Sequence, residues 1–165
     1  SRSAYNDGFK NTPEDPYKTQ RTGILGEMGL AKIMGLEVDV EYAEKGKETD
    51  FIINNAKVDV KTSCGDPWGN FFIRANYVRN QAPLPIKNDI YIGAYVLEEN
   101  LQEKYAKIGV VGYILKKNIG PQHLKRSPAK FAQHENWEIP YRDLVPIEDM
   151  IEKNERLAVG RNQTT

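Results

Sequence analysis

The stretch TDFIINNAKVDVKTS, Thr49 to Ser63, constrains the fold of this chain more than any other. Two short segments rich in β-branched and aromatic residues flank Asn54-Asn55, a pair that tolerates the positive φ angles of a two-residue hairpin turn. With those asparagines as the whole loop, Ile53 faces Ala56, Ile52 faces Lys57, Phe51 faces Val58 and Asp50 faces Asp59. Side chains alternate between faces along a strand, so Phe51, Ile53, Val58 and Val60 share one face, and Asp50, Asp59 and Lys61 share the other. Directly opposed like charges destabilise a strand pair by roughly 0.2–1 kcal/mol. Tolerating them calls for something cationic between them, which makes the polar face a candidate metal site.

The rest of the chain bounds what surrounds this hairpin. At 165 residues, 39% hydrophobic and 28% charged, it suits one soluble domain with a real core. No segment approaches the roughly 20 apolar residues of a membrane span, so no membrane partner is expected. Ser1-Arg2-Ser3 shows neither a basic nor an apolar leader region, and the single cysteine, Cys64, suits a reducing cytosol. The expected location is cytoplasmic. Net charge is zero, which argues against a strong non-specific nucleic-acid binder, yet its distribution is uneven. From Lys61 to Glu135 there are eleven Lys/Arg against six Asp/Glu, whereas residues 1–60 hold eight against eleven. The basic middle reads equally as surface variation or as a phosphate-facing patch.

Periodicity and turn residues divide the chain into a loosely held arm over 1–17, one domain over 18–159 and a flexible tail over 160–165. A helix is expected from Lys18 to Met34, with Gly35 as its C-terminal cap. A short strand, Leu36 to Val40, and a charged loop lead to the hairpin. CGDPWGN (64–70) is a turn-rich connector, and Phe71 to Arg79 is ambiguous between strand and helix. Asp89–Leu97 and Lys107–Leu115 read as strands. Lys116 to Gln133 reads as a loop with a short helix. Trp137–Tyr141 reads as an edge strand because of Pro140. Ile147 to about Ala158 closes as an amphipathic helix, with fraying from Gly160. The order is α-β-β-β-(α)-β-β-α, a mixed α/β domain.

The first helix supplies a third acid. Measured from Glu27 at about 100° per residue, Met34 lies near −20°, Gly23 near −40°, Ala31 near +40°, Ile24 near +60° and Leu30 near −60°. Glu27 thus falls within the apolar stripe, where an unpaired carboxylate costs several kcal/mol or takes up a proton. Gly23 and Gly26 beside it permit a close approach to a sheet.

Glu27 on a glycine-flanked helix, TDF opening a strand and VDVK on its antiparallel neighbour together resemble the PD-(D/E)xK nuclease superfamily. That group includes many restriction endonucleases, Holliday-junction resolvases and phage recombination exonucleases. The match spans roughly Thr22 to Ser63. No proline precedes Asp50, and the DxK acid is Asp where Glu is commoner. The resemblance implies a restriction-endonuclease-like core, a central mixed sheet whose hairpin carries the site, flanked by helices in an α-β-β-β-α-β arrangement. It implies Asp50 as the first-strand acid, Asp59-Val60-Lys61 as the (D/E)xK element and Glu27 as the helix acid.

These residue types suit phosphodiester hydrolysis. Clustered carboxylates bind Mg²⁺, or Mn²⁺ in its place, and such an ion acidifies water and neutralises phosphate charge. Asp50 and Asp59 are the expected ligands, with Glu27 completing the set and the Val60 carbonyl added by the resemblance. Lys61 would orient the attacking water or stabilise the transition-state oxygens. The expectation is a Mg²⁺-dependent DNA endonuclease of phage or bacterial type, with RNA also compatible and a homodimer possible. The alternatives are a branched-DNA resolvase, an RNA-cleaving toxin domain and a non-catalytic nucleic-acid-binding protein on a nuclease fold. Arg74, Arg79, Lys116, Lys117, Lys125 and Arg126 are candidate phosphate contacts. Trp68 and Phe71 are candidate stacking residues, though core packing suits them better. His123 and His134 are expected at the surface, and Cys64 as a small packed hydrophobe. GILGEMG lacks the strand and the Lys-Ser/Thr of a phosphate loop.

Overall fold

The computed structural model describes residues 15–37, 49–64, 69–74, 85–126 and 135–163. Helix α1 spans Lys18–Met34 and ends at Gly35, whose φ of 67° is the left-handed conformation that a side chain resists. Strands β1 (Phe51–Ile53) and β2 (Ala56–Cys64) form the hairpin in the expected register, Phe51↔Val58, Ile52↔Lys57 and Ile53↔Ala56. Asn54 and Asn55 carry φ of 51° and 67°, a pair of positive values that matches the right-handed twist of the strands.

β3 is Asn70–Arg74, β4 Ile90–Asn100, β5 Tyr105–Leu115, β6 Leu124–Arg126, β7 Glu135–Pro140 and β8 Val145–Pro146, and α2 spans Ile147–Gln163. A five-stranded sheet has the order β1-β2-β4-β5-β8. β2 runs parallel to β4, while the other pairs are antiparallel, so the sheet is mixed. A three-stranded antiparallel sheet, β3-β7-β6, is separate from it.

Two apolar cores follow from strand alternation. On one face of the large sheet, Val58, Val60, Ile92, Ala94 and Tyr113 pack with Leu30 and Met34 of α1 and Ile147 and Met150 of α2. On the other, Tyr91 and Ile114 pack with Phe71, Ile73, Ile139 and Tyr141 at the small sheet. Helices therefore cover one face and the small sheet the other. The protein is a mixed α/β fold with both faces of β2 covered.

Several sequence expectations shift. β7 lies in the middle of its sheet, not at an edge: β6 reaches only Glu135–Trp137, so Pro140 at the far end of β7 is flanked on one side alone, by Asn70. Helix α2 continues through Gly160 to Gln163, because a glycine weakens a helix by about 1 kcal/mol without ending it. The expected short helix after Lys116 is two single 3-10 turns, Lys116–Asn118 and Pro121–His123, followed by β6. Phe71 packs in the second core, and Asn70–Arg74 is strand. The proposed strand over 36–40, most of the arm over 1–17, Trp68, Arg79 and His134 lie outside the described residues wholly or in part.

Candidate metal and catalytic site

The site lies where β1 stops. β1 has three residues and β2 nine, so beyond Val58 the outer edge of β2 has no strand partner from β1. Asp50 fills the first place there. Its backbone N–H donates to Val58 O at 3.0 Å, one step out of the ladder register. Its side chain turns across the strand end, and Oδ2 accepts the Val60 N–H at 2.7 Å. Asp50 is therefore not simply opposite Asp59, as the ideal hairpin implied; it caps the edge of β2. A strand residue points its N–H and C=O to the same side, so the Val60 carbonyl faces this edge as well.

Asp59 and Lys61 share the face of β2 opposite Val58 and Val60, as the alternation predicts. Asp59 is 5% exposed. Lys61 Nζ sits 2.8 Å from its Oδ2, with the Lys61 side chain 38% exposed. The Lys61 ammonium is thus the charged partner of this otherwise sealed oxygen. One part-exposed ammonium offsets only part of the cost of burying a carboxylate.

Glu27 reaches the same place from α1. The buried face of that helix runs through Thr22, Gly26, Leu30, Ala31 and Met34, so Glu27 sits at its border, half-buried, and not at its centre. The small residues Thr22 and Gly26 rotate the buried arc away from it. From that border its carboxyl lies beside that of Asp50 and raises it.

The electrostatics record crowding. Burial, and then the neighbouring Glu27 carboxyl, push Asp50 up to about 7 against the pull of the Val60 N–H. Burial pushes Asp59 up to about 6; Lys61 opposes this, and the Asp50 charge adds to it. Asp50 and Asp59 titrate together. Glu27, Asp50 and Asp59 thus stand as a row of neighbouring carboxyls ending at Lys61. Among the described residues, no three His, Cys, Asp or Glu side chains are arranged around a single ion position as they stand. Asp50 and Asp59 beside the Val60 carbonyl nevertheless fit Mg²⁺, which takes one or two carboxylates and keeps several waters. The observation that favours a cation there is Asp50 turned onto the Val60 N–H beside buried Asp59, two acids with one part-exposed lysine between them and solvent.

Neighbouring residues that hairpin logic did not single out hold this geometry. Thr49 Oγ1 donates to Asn88 Oδ1 at 2.7 Å, anchoring the residue before Asp50. Asn88 is 3% exposed, and its N–H lies 3.4 Å from the hydroxyl of Tyr91, the β4 partner of Asp59. Further along the polar face, Ser63 Oγ lies 2.7 Å from the Tyr141 hydroxyl, which donates to Ala94 O at 2.9 Å. A polar residue just before the first acid is the only one of these signals visible in sequence.

Two expectations elsewhere are corrected. His123 is buried, not superficial: its Nδ1 accepts the Gly120 N–H at 3.1 Å and its Nε2 faces Asp143 at 3.5 Å. Both ring nitrogens are engaged in holding a turn. Cys64 is exposed rather than packed, because it ends β2, with Thr22 Oγ1 3.2 Å from its Sγ. Lys116, Lys117 and Lys125 are exposed, and Arg74 and Arg126 lie on strands of the small sheet. Compared with protein-family models, curated proteins and solved structures, the chain matches none.

Proposed function

We propose that the chain is a metal-dependent nuclease of the PD-(D/E)xK kind, hydrolysing phosphodiester bonds, with DNA as the first substrate to test. The observation that carries this reading is buried Asp59, ion-paired to Lys61 and flanked by Asp50 and the Val60 carbonyl edge. Asp50, Asp59 and the Val60 carbonyl would hold Mg²⁺, with Glu27 reaching it through Asp50. When bound, the ion would supply charge neutralisation at the phosphate and a more acidic water.

The chain's own groups account for the rest. Hydrolysis forms a bond from a water oxygen to phosphorus and breaks a phosphorus–oxygen ester bond. The water's proton would pass to solvent, or to Glu27, which stands beside Asp50 outside the direct ligand set. Lys61, part-exposed at the mouth of the site, places an ammonium where the phosphoryl oxygens gain charge. No helix among the described residues is long and apolar enough to cross a membrane.

The test is incubation with supercoiled, linear and branched DNA and with RNA, in Mg²⁺ and in EDTA. Cleavage of DNA in Mg²⁺ alone supports the reading. Cutting confined to branched DNA would make the protein a junction resolvase, and cutting confined to RNA a ribonuclease. Binding without cleavage of any substrate would leave a nucleic-acid-binding module and overturn the enzymatic reading.

A further inference from the structure

The spacing of α1 on β2 points to a residue that acts on the site without touching it. Thr22 meets Cys64, Gly26 meets Thr62, and Leu30 packs in the core with Val60 and Val58. The helix therefore runs antiparallel above β2. Four helical residues advance about 6 Å and two strand residues about 6.6 Å, so the two elements stay in step over these contacts. Gly26 is the closest of them. A Cβ there would fall 1.7 Å from Thr62 Oγ1 and 2.8 Å from Thr62 Cβ, so backbone and side chain are in direct contact. Thr62 Oγ1 is sealed beneath with no hydrogen-bond partner. Gly23, one turn away, has nothing within 4 Å of its own Cβ position.

We propose that Gly26, seated on Thr62, is a positioning residue that sets the height of α1 over β2 and so brings the Glu27 carboxyl to Asp50. The inference rests on the metal-site reading above. Glu27 follows Gly26 directly, at the level between Thr62 and Val60, and Asp50 caps the Val60 N–H at that level. Any side chain at position 26 must lift the helix or rotate it, and either motion withdraws Glu27 from the β2 edge. The Thr62 hydroxyl itself has no part in this; its volume does.

The test is calorimetric titration with Mn²⁺ of the parent, Gly23→Ala, Gly26→Ala, Thr62→Val and Gly26→Ala/Thr62→Gly, with crystal structures of the metal-free parent and of the Gly26 variants. Gly26→Ala should bind Mn²⁺ at least tenfold more weakly, with Glu27 displaced from Asp50. Gly23→Ala and Thr62→Val should bind as the parent does. The double variant, whose glycine at 62 removes the Oγ1, Cβ and Cγ2 contacts together, should recover most of the loss. If Gly26→Ala does not fold, the double variant decides: parent-like Mn²⁺ affinity with Glu27 against Asp50 supports the proposal, and Glu27 against Asp50 with tenfold weaker binding overturns it. A folded Gly26→Ala with parent-like affinity overturns it, as does loss of affinity in Thr62→Val, which would assign the role to the hydroxyl. A parent that does not bind Mn²⁺ would instead sink the metal-site reading itself, and the two structures would still show whether residue 26 places Glu27.

Discussion

Two clusters of acids on this molecule are built to opposite ends. At the start of α1, Arg21 lies between Asp15, at 2.5 Å, and Glu99 of β4. One planar cation serves two carboxylates, and Asp15 is held below its ordinary range, chiefly by its hydrogen bond to that guanidinium. Along the edge of β2, three carboxyls share one lysine. There burial and the neighbouring acids raise Asp50 and Asp59. The first cluster is complete within the protein and fastens the start of the helix to the far end of the central hairpin. The second is left short of positive charge inside a partly buried edge. Acids that stabilise a fold have lowered pKa values; acids raised together at one place cost the metal-free fold stability, a pattern that functional sites share.

The largest expected difference between the clusters is in turnover. Lys61→Ala should cleave DNA about 10²–10³ times more slowly in single-turnover assays, the loss typical of one transition-state donor. It should bind DNA nearly as tightly as the parent when Ca²⁺ replaces Mg²⁺, and Lys61→Arg should recover little, since a planar fork does not reproduce a compact point charge. Arg21→Ala should leave the chemical rate unchanged. Equal cleavage by Lys61→Ala and the parent would remove the distinction.

The next difference is in the sign of the stability change. Arg21→Ala should lower the Tm by about 2–4 °C, a modest loss for a chain of this size. Asp59→Asn, measured in EDTA, should raise it, because a buried acid facing another acid is removed. Should both variants melt lower, Asp59 would be a structural acid like Asp15.

A pH series sharpens the same contrast. Carboxyls raised in the folded state bind protons that the unfolded chain has already released above about 3.9. Their contribution is therefore fully present at low pH, and it is lost as pH rises through the folded values of about 6 and about 7. In EDTA the Tm should fall across that window, and Asp50→Asn should flatten the fall. Asp15, being lowered, works the other way and loses its contribution as pH drops through the carboxylate range. A Tm that rises from pH 5 to pH 7.5 in the Arg21→Ala background would contradict the assignment at Asp50.

The smallest effect is salt. The Arg21 pair is a quarter exposed, so added NaCl should shrink the cost of Arg21→Ala. The Asp59 shift comes first from burial and should change little; equal salt sensitivity in the Tm differences would count against that cause.

The hairpin and α1 were legible because their signals are local. Asn54-Asn55 dictates the turn, alternation separates Val58 and Val60 from Asp59 and Lys61, and Gly35 ends the helix. The assignment of Asp50, Asp59 and Lys61 to one place follows from that short range. What sequence could not show depends on elements far apart in the chain. Asp50 turning onto the Val60 N–H requires β1 to stop where it does. Gly26 is readable as a close approach, but its partner Thr62 is thirty-six residues on. β7 becomes central only because β6, before it in the chain, pairs with it. The burial of His123 depends on Asp143 and Gly120 closing around it.

The central claim, that this carboxyl row is made for a divalent cation, is tested most directly by the melting temperature of the parent and of Asp59→Asn in EDTA and in Mg²⁺ or Mn²⁺. A ligand that binds only the folded state adds about 2.7 kcal/mol at a hundredfold excess over its Kd. The parent should therefore melt higher with the ion than in EDTA. Asp59→Asn should be insensitive to the ion, and should melt above the parent when both are in EDTA. A parent whose Tm ignores divalent ions, or an Asp59→Asn variant that gains as much from them as the parent does, would contradict the account.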